Sequence, residues 1–250
     1  MSHRHCAVLA AWGTAWLQGT EPFDAVLDAV GTGSNSVAGP GFERADVPPL
    51  SSALSDWKRS GTPALRLALP VPGDVRGLAG PAPFRDAAVR NGQAVFGGPF
   101  GLTCGLSPET PSSAPRALVW HRGPVEESSP DYVSLPDAEH ELTEAIRETA
   151  SLFAQRGATS WLADIAPALS DARRAGERLN LPASHPPRAV RLIAQAERLS
   201  AVFRLLDADS TGEINVAGMR ERAAGLAPLR IAVRRALIAG YNAAAEVTAT

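Results

Sequence analysis

Short apolar runs separated by stretches rich in proline and glycine fill the first half of the chain, and the clearest run lies at residues 63–70. Its sequence, Pro-Ala-Leu-Arg-Leu-Ala-Leu-Pro, is too short for a helix and has a proline at each end, so it predicts a strand. Residues 70–83 then hold four prolines and three glycines, which disfavour regular structure. Residues 84–91 are typical of a helix that ends at Gly92, and residues 93–96 predict a second strand. This order of strand, loop, helix and strand predicts a βαβ unit.

Helices are predicted before this unit and further strands after it. A first helix is expected over 5–18, with a buried face formed by Val8, Trp12 and Trp16. Thr20 is expected to cap a second helix, and a third is expected to end near residue 59. Residues 100–106 are expected to pair antiparallel with 93–96, and residues 116–121 predict a fourth strand.

Beyond residue 136 the pattern is helical throughout. Asp137 is expected to begin one helix and Ser160 another. The helix after Pro187 carries apolar residues at alternating spacings of four and three, which is typical of a bundle seam: Leu192, Ala196, Leu199, Phe203 and Leu206. A short helix over 216–224 and a last one over 228–245, with Leu229, Val233, Leu237 and Tyr241 on its inner face, complete the prediction.

These elements predict an α+β protein. A loop-rich α/β domain at residues 1–125 is expected to be followed by a linker at 126–136 and a helical bundle at 137–250, with the two domains packed together.

Composition places the chain among globular proteins, because 45% of its 250 residues are hydrophobic and 20% are charged. A net charge of −2 disfavours a protein that coats nucleic acid or anionic membrane. Residues 6–17 have the length of the apolar core of a signal peptide, but their glycine, threonine and two tryptophans and the lack of a clean cleavage site weaken that interpretation. The two cysteines, Cys6 and Cys104, fit a reducing compartment where no disulfide is needed, and we expect a cytoplasmic protein. One disulfide between them is the alternative, although nothing in their spacing indicates it.

The loop at 70–83 is the predicted ligand-binding site. It would leave the carboxyl end of a strand and precede a helix N-terminus, where α/β sheets bind ligands, and its charged residues are Asp74 and Arg76. His121, at the end of a predicted strand, is the third candidate, as a general base or an anion ligand. The alternatives are a rigid connection held by an Asp74–Arg76 ion pair, and a surface histidine.

No cofactor, metal ion or catalytic residue is predicted. The glycines of the loop match neither the dinucleotide-binding fingerprint nor a phosphate-binding P-loop. His3, His5 and Cys6 form a cluster that could bind a transition metal, but chain ends are usually loose. Cys104 is expected to be a core thiol.

Residues Asp207–Glu213 resemble the first half of a calcium-binding loop. Asp207, Asp209 and Thr211 occupy ligand positions, but Gly218 stands where the bidentate glutamate belongs. A turn between two helices is therefore favoured over a calcium site. The arginines from 220 to 235 could form a nucleic-acid surface, although a solvated face that balances acidic residues at 137–148 is favoured.

Three stretches carry a family resemblance: Trp-Gly-Thr-Ala-Trp at 12–16, Leu-Arg-Leu-Ala-Leu-Pro-Val-Pro-Gly-Asp-Val-Arg-Gly-Leu at 65–78, and Ala-Val-Arg-Arg-Ala-Leu-Ile-Ala-Gly-Tyr-Asn at 232–242. Together they resemble an uncharacterised family of actinobacterial proteins rich in alanine, arginine and proline. The resemblance spans nearly the whole chain. It implies no activity, cofactor or catalytic residue, and it implies that the Asp207–Glu213 turn varies freely.

Two functions follow as hypotheses. The first is a non-catalytic interaction module whose bundle face binds a protein partner or a second copy of the chain, since no catalytic constellation is found. The second is a binding protein or enzyme for an anionic small molecule that uses Asp74, Arg76 and His121. The sequence leaves open whether the protein is an enzyme.

Overall fold

The computed structural model describes residues 5–31, 36–38, 49–106, 118–125, 133–155, 179–209 and 216–247. These residues divide between two compact units. Unit 1 comprises the described parts of Met1–Tyr132, Asn180–His185 and Tyr241–Thr250, and unit 2 those of Val133–Leu179 and Pro186–Gly240. Strands occur in unit 1, and the described part of unit 2 is helical, so the α+β prediction is confirmed.

Unit 1 combines four helices with one five-stranded sheet. In chain order its elements are α1 (His5–Leu17), α2 (Phe23–Val30), β1 (Ser36–Ala38), α3 (Leu50–Arg59), β2 (Arg66–Ala68), α4 (Ala82–Asn91), β3 (Ala94–Gly97), β4 (Phe100–Leu106) and β5 (Leu118–Pro124). The strand order is β1-β5-β4-β3-β2. β1 runs parallel to β5, and the other pairs are antiparallel. The predicted antiparallel pairing of β3 with β4 is confirmed.

The predicted βαβ unit is wrong, although its strand, helix and second strand all form. β2 and β3 are hydrogen-bonded neighbours and run antiparallel, with Leu67 opposite Val95. In a βαβ unit the helix covers the two strands that it connects, and those strands run parallel. Here α4 packs on β4 and β5 instead. The loop at 70–83 therefore does not leave a shared carboxyl edge of parallel strands, and the topological reason for a ligand site there is lost.

Glycines on one face of the sheet create the surface on which α4 lies. Gly101 and Gly123 are opposite each other on β4 and β5, and the ring of Phe84 lies directly over both. A Cβ at Gly123 would come within 2.6 Å of Phe84 Cδ2. Further along β4, the Nδ2 of Asn91 donates to Thr103 Oγ1. The close packing of α4 thus depends on residues without side chains.

α1 packs on the other face of the sheet through its small residues. Its buried residues include Ala7, Ala10, Ala11 and Gly13, and Leu65 Cδ1 occupies the place that a Cβ on Gly13 would take. The prediction that Val8, Trp12 and Trp16 form the buried face is wrong, because all three are only partly buried. Small side chains let the helix approach the sheet, which moves the bulky ones to its flanks.

The starts of α2 and α3 are marked by proline rather than by a side-chain cap. Pro22 and Pro49 occupy the N-cap positions, and neither helix has a capping side-chain hydrogen bond. The expectation that Thr20 caps α2 is wrong, since its hydroxyl donates to Ala15 O at the end of α1.

Unit 2 is built from three described helices: α5 (Leu135–Gln155), α6 (Pro187–Asp209) and the part of α7 (Val216–Val247) up to Gly240. Ser134 caps α5, with its hydroxyl accepting from the N–H of Asp137 at 3.3 Å. Ion pairs join α5 to the other two helices: an exposed pair of Arg188 with Glu139, and a partly buried pair of Arg235 with Glu141.

α7 is one continuous helix, so the predicted break before Pro228 is wrong. Its predicted inner face is confirmed, because Leu229, Val233, Leu237 and Tyr241 are all buried. The seam predicted on α6 is confirmed at Leu192, Ala196 and Phe203, whereas Leu199 and Leu206 are partly buried. On α7, burial of the inner face compensates for the one backbone hydrogen bond that Pro228 cannot donate.

Some predictions lie outside the described residues. They are the helix capped by Ser160, most of the linker at 126–136, and residues 210–213 of the candidate calcium turn. Within the described ranges, no helix is both long enough and apolar enough to cross a membrane.

Candidate functional site

The loop that connects β2 to α4 begins with a closed four-residue turn. The N–H of Val71 donates to Asp74 O at 3.0 Å, and the N–H of Asp74 donates to Val71 O at 2.9 Å. Pro72 and Gly73 form the corner, and Gly73 has φ of 84°, which glycine adopts without strain. A proline followed by such a glycine is the sequence signature of a type II turn.

A second turn follows at once and fixes the rest of the loop. The N–H of Leu78 donates to Val75 O at 3.1 Å, and Gly77 has φ of 75°. Gly80 then passes close to the sheet, where a Cβ would come within 3.0 Å of both Phe84 Cδ1 and Pro124 O. Two hydrogen-bonded turns and a close approach to the core make this a rigid loop.

The two charged residues of the loop are paired with each other. Arg76 Nε donates to Asp74 Oδ1 at 2.9 Å, and Arg76 Nη2 donates to Asp74 Oδ2 at 2.8 Å. A two-bond contact between guanidinium and carboxylate is the strongest form of this interaction. The ion pair therefore supports the loop, as the alternative interpretation of the sequence expected.

Apolar side chains of the same loop face solvent. Val71 is 39% exposed and Val75 is 43% exposed. Among the described large hydrophobic residues, one other is exposed to this degree: Ile231 on α7, at 44%. A Cβ placed on Gly73 or Gly77 would meet no atom within 4 Å, so the outer side of each turn faces open space.

His121 lies in a different environment from the ion pair of the loop. It is on β5, opposite Thr103 of β4, and its side chain is exposed on the face of the sheet that carries α4. Partial shielding from solvent lowers the pKa of His121, and the positive charge of Arg90 on α4 adds to the effect. His121 is therefore favoured in its neutral form, which weakens it as an anion ligand.

A stack of planar groups, which sequence reasoning missed, lies on the opposite face of the sheet. The ring of Phe100 is parallel to that of Trp57, with centroids 4.7 Å apart, and the guanidinium carbon of Arg122 lies 3.6 Å from the Phe100 centroid. Arg122 also forms an ion pair with Asp56. The hydrogen bond from Arg122 lowers the pKa of Asp56, with a further contribution from Arg59.

That stack is a structural feature of the sheet and α3. Trp57 is fully buried and donates its Nε1–H to Gly97 O at 2.8 Å. Cation–π contact and ring stacking each add to the burial of these side chains. The signal in the sequence was weak, because the three elements involved are separated along the chain and no spacing links them.

The metal-binding hypotheses find no support in the described residues. Cys6 is buried against the sheet, whereas His5 Nδ1 lies 3.3 Å from Val30 O, and His3 is outside the described residues. Asp207 is helical, and both its carboxylate oxygens accept hydrogen bonds from Arg230, at 2.6 and 3.1 Å. No group of three or more potential ligands converges within the described ranges.

Two family models match the chain. One is described as the Rv1486c-like protein, N-terminal domain, and matches residues 6–134; the other is the Rv1486c-like protein, C-terminal domain, and matches residues 136–238. The chain belongs to the Rv1486c-like family. The actinobacterial resemblance noted in the sequence is thereby confirmed, and the family is one of unknown function.

Three mycobacterial proteins are similar to this chain along nearly its whole length. The uncharacterized proteins Rv1486c and MT1533 of two Mycobacterium tuberculosis strains are each 27% identical to this chain, over 94% of it and 95% of their own length. The uncharacterized protein ML1804 of Mycobacterium leprae is 27% identical with the same coverage. No solved structure matches the chain significantly. The loop and His121 both lie within the match to the Rv1486c-like N-terminal domain.

Proposed function

We propose that this Rv1486c-like protein is a non-catalytic interaction module, and that residues 70–80 form its docking loop for a folded protein partner. The observation that carries the proposal is the exposure of Val71 and Val75 on two hydrogen-bonded turns. We infer that these two apolar side chains, held on ordered turns, are what a protein partner covers.

The rigidity of the docking loop favours binding. A loop that is already ordered loses little conformational entropy when a partner covers it. Val75 lies between Asp74 and Arg76, whose charges are neutralised within the loop, so the partner needs no opposite charge at this point. We therefore expect a partner that offers an uncharged, apolar recess.

The shape of the docking loop disfavours a second copy of the chain as its binding partner. A symmetric dimer with the docking loop on its axis would place the two loops against each other, and two short turns bury little surface together. The predicted bundle face has weaker support as a docking surface, because the described part of unit 2 exposes one large hydrophobic residue, Ile231.

An anionic small molecule is also disfavoured at this loop. Small ligands bind in concave sites that cover most of their surface, whereas the turns at Gly73 and Gly77 face open space. Arg76 would have to exchange its bidentate contact with Asp74 for the ligand.

Since two cysteines and one family of mycobacterial relatives give no reason for secretion, we place the proposed role in the cytoplasm.

Site-specific photo-crosslinking in living cells tests the docking loop. A photoreactive amino acid replaces Val75 in one variant and Ile231, the matched exposed residue on α7, in the control. We expect one discrete protein adduct at position 75, absent at position 231 and lost when Val71→Ser is added. Adducts of equal yield at both positions, or none at 75, would contradict the proposal.

Two further measurements test whether the docking loop instead binds a second copy of the chain or a small molecule. A solution mass above the 26.1 kDa monomer that Val71→Ser/Val75→Ser abolishes would show a second copy of the chain instead. A rise in melting temperature with anionic metabolites that Arg76→Ala abolishes would show a small-molecule site instead.

A further inference from the structure

The two cysteines of the chain meet in the core of unit 1. Cys6 is in the first turn of α1 and Cys104 is on the central strand β4, 98 positions later, yet their sulfur atoms are 3.7 Å apart. Both side chains are free thiols and are almost completely buried. Spacing along the chain does not indicate this contact, because the tertiary fold creates it.

The surroundings hold the two thiols together and leave one of them able to move. The N–H of Cys6 donates to Gln93 Oε1 at 3.1 Å, and Cys6 Sγ lies 4.0 Å from Leu102 O. Cys104 is fixed within a strand that is paired on both sides. Cys6 lies in a terminal helical turn, which opens at lower free energy than a central strand.

We infer that Cys6 and Cys104 form a reversible disulfide in the folded protein when the chain meets a hydroperoxide oxidant. The sulfur atoms need to approach by less than 2 Å to reach a bond length of about 2.05 Å, a shift within the range of a helix end. The disulfide would join α1 to β4 without any other chain.

Hydrogen peroxide is small and neutral enough for such a site, and the reaction balances with it. The Cys6 thiolate attacks one peroxide oxygen and becomes a sulfenic acid, and the other oxygen leaves as water after protonation. The Cys104 sulfur then attacks the sulfenic sulfur, the S–S bond forms, and the hydroxyl leaves as a second water. Two thiols are oxidised by two electrons in all, and one peroxide is reduced to two waters.

Burial sets the rate of this reaction. Desolvation raises the pKa of Cys6 well above its usual value, and the neighbouring Cys104 raises it further. Since the thiolate is the reactive form, the pair reacts slowly while the first turn of α1 is closed. A sulfenic acid forms on Cys6 while the turn is open. When the turn closes again, the sulfur atoms return to contact, and the Cys104 thiol captures the sulfenic acid.

The disulfide would stabilise the folded chain. It would close a loop of 98 positions, and loops of that length restrict the unfolded state strongly. We expect the melting temperature of the oxidised protein to rise by about 5–10 °C, and the rise to disappear on reduction.

Peroxide treatment of the full native chain tests the inference. The protein is oxidised, denatured, alkylated and digested with trypsin, which places the cysteines in peptides 5–44 and 91–116. We expect a linked pair of these peptides, an intact mass lower by about 2 Da, and a circular dichroism spectrum unchanged from that of the reduced protein.

Cys6→Ser and Cys104→Ser provide the controls. We expect each variant to lack the linked peptides and the rise in melting temperature under the same treatment. Sulfinic acid on wild-type Cys6 without a link, or a link that forms only in denaturant, would overturn the inference. The peptide link in the wild-type protein tests the Cys6–Cys104 disulfide even if a serine variant does not fold.

Discussion

The side-chain amide of Asn242 binds the backbone of Leu67 as a neighbouring strand would. Asn242 Oδ1 accepts from the N–H of Leu67 at 2.7 Å, and Asn242 Nδ2 donates to Leu67 O at 3.1 Å. β2 is an edge strand, and Leu67 directs both of its backbone groups away from β3. Asn242 thus closes an edge that would otherwise be open to another strand.

Asn242→Ala is therefore expected to destabilise the protein by about 2–4 kcal/mol, because it leaves two buried backbone groups without partners. Asn180→Ala is the matched control. Asn180 also uses both amide atoms, bonding Ala29 O and Trp12 Nε1, but it is exposed, so water replaces those bonds. We expect the control to cost less than about 1 kcal/mol. Urea unfolding measures both, and equal losses would contradict this interpretation of the edge.

Thr14 binds the same edge of the sheet at Leu65, two residues before Leu67. Its hydroxyl accepts from the N–H of Leu65 at 2.9 Å and donates to Leu65 O at 3.1 Å. Thr14→Val keeps the shape and removes both bonds, so we expect a loss of about 1–3 kcal/mol in urea unfolding. Thr14→Ser keeps the hydroxyl and should retain most of that stability. A valine variant as stable as the wild type would show that the hydroxyl is dispensable.

Gly123→Ala tests the glycine surface beneath α4. The added methyl group would meet Phe84, so we expect a loss of about 1–3 kcal/mol in the free energy of unfolding. Phe84→Leu makes room for the methyl group, and the double variant should lose less than the sum of the two single losses. Additive losses in a double-mutant cycle would show that Gly123 and Phe84 do not depend on each other.

The ion pair of Asp56 and Arg122 should make stability depend on pH. The folded-state pKa of Asp56 is lowered, so its contribution is present above the unfolded pKa of about 3.9 and is lost as pH falls through the folded value. Both side chains are partly exposed, which limits the contribution to about 1 kcal/mol. We expect Asp56→Asn to lower stability at pH 7, and the difference from the wild type to shrink as the pH falls below about 3.9. A difference that is constant from pH 7 to pH 2 would exclude the ion pair as its cause.

Local pattern predicted most of the elements and not how they assemble. The prolines at 63–70 and Gly92 located β2 and the end of α4, because these residues act on the backbone nearby. The direction of β3 relative to β2 depends on where α4 packs, which the glycines of β4 and β5 decide. β1 was missed because three residues in a turn-rich stretch become a strand only through pairing with β5.

The candidate site shows the same division. The Pro72-Gly73 turn and the Asp74–Arg76 pair act within a few residues, so the sequence contained them. Asn242 meets Leu67 across 175 positions, and Cys6 meets Cys104 across 98. Contacts of that range have no signature in one sequence, because each is fixed by the packing of the whole unit.

The affinity for the partner crosslinked through position 75 tests the central claim most directly. With that partner purified, Val71→Ser/Val75→Ser should weaken binding by about tenfold or more, because two apolar side chains lose their buried contacts. Ile231→Ser, which changes an equally exposed residue on α7, should leave the dissociation constant within about twofold. An affinity that the loop variant leaves unchanged, or that both variants weaken equally, would contradict the docking loop.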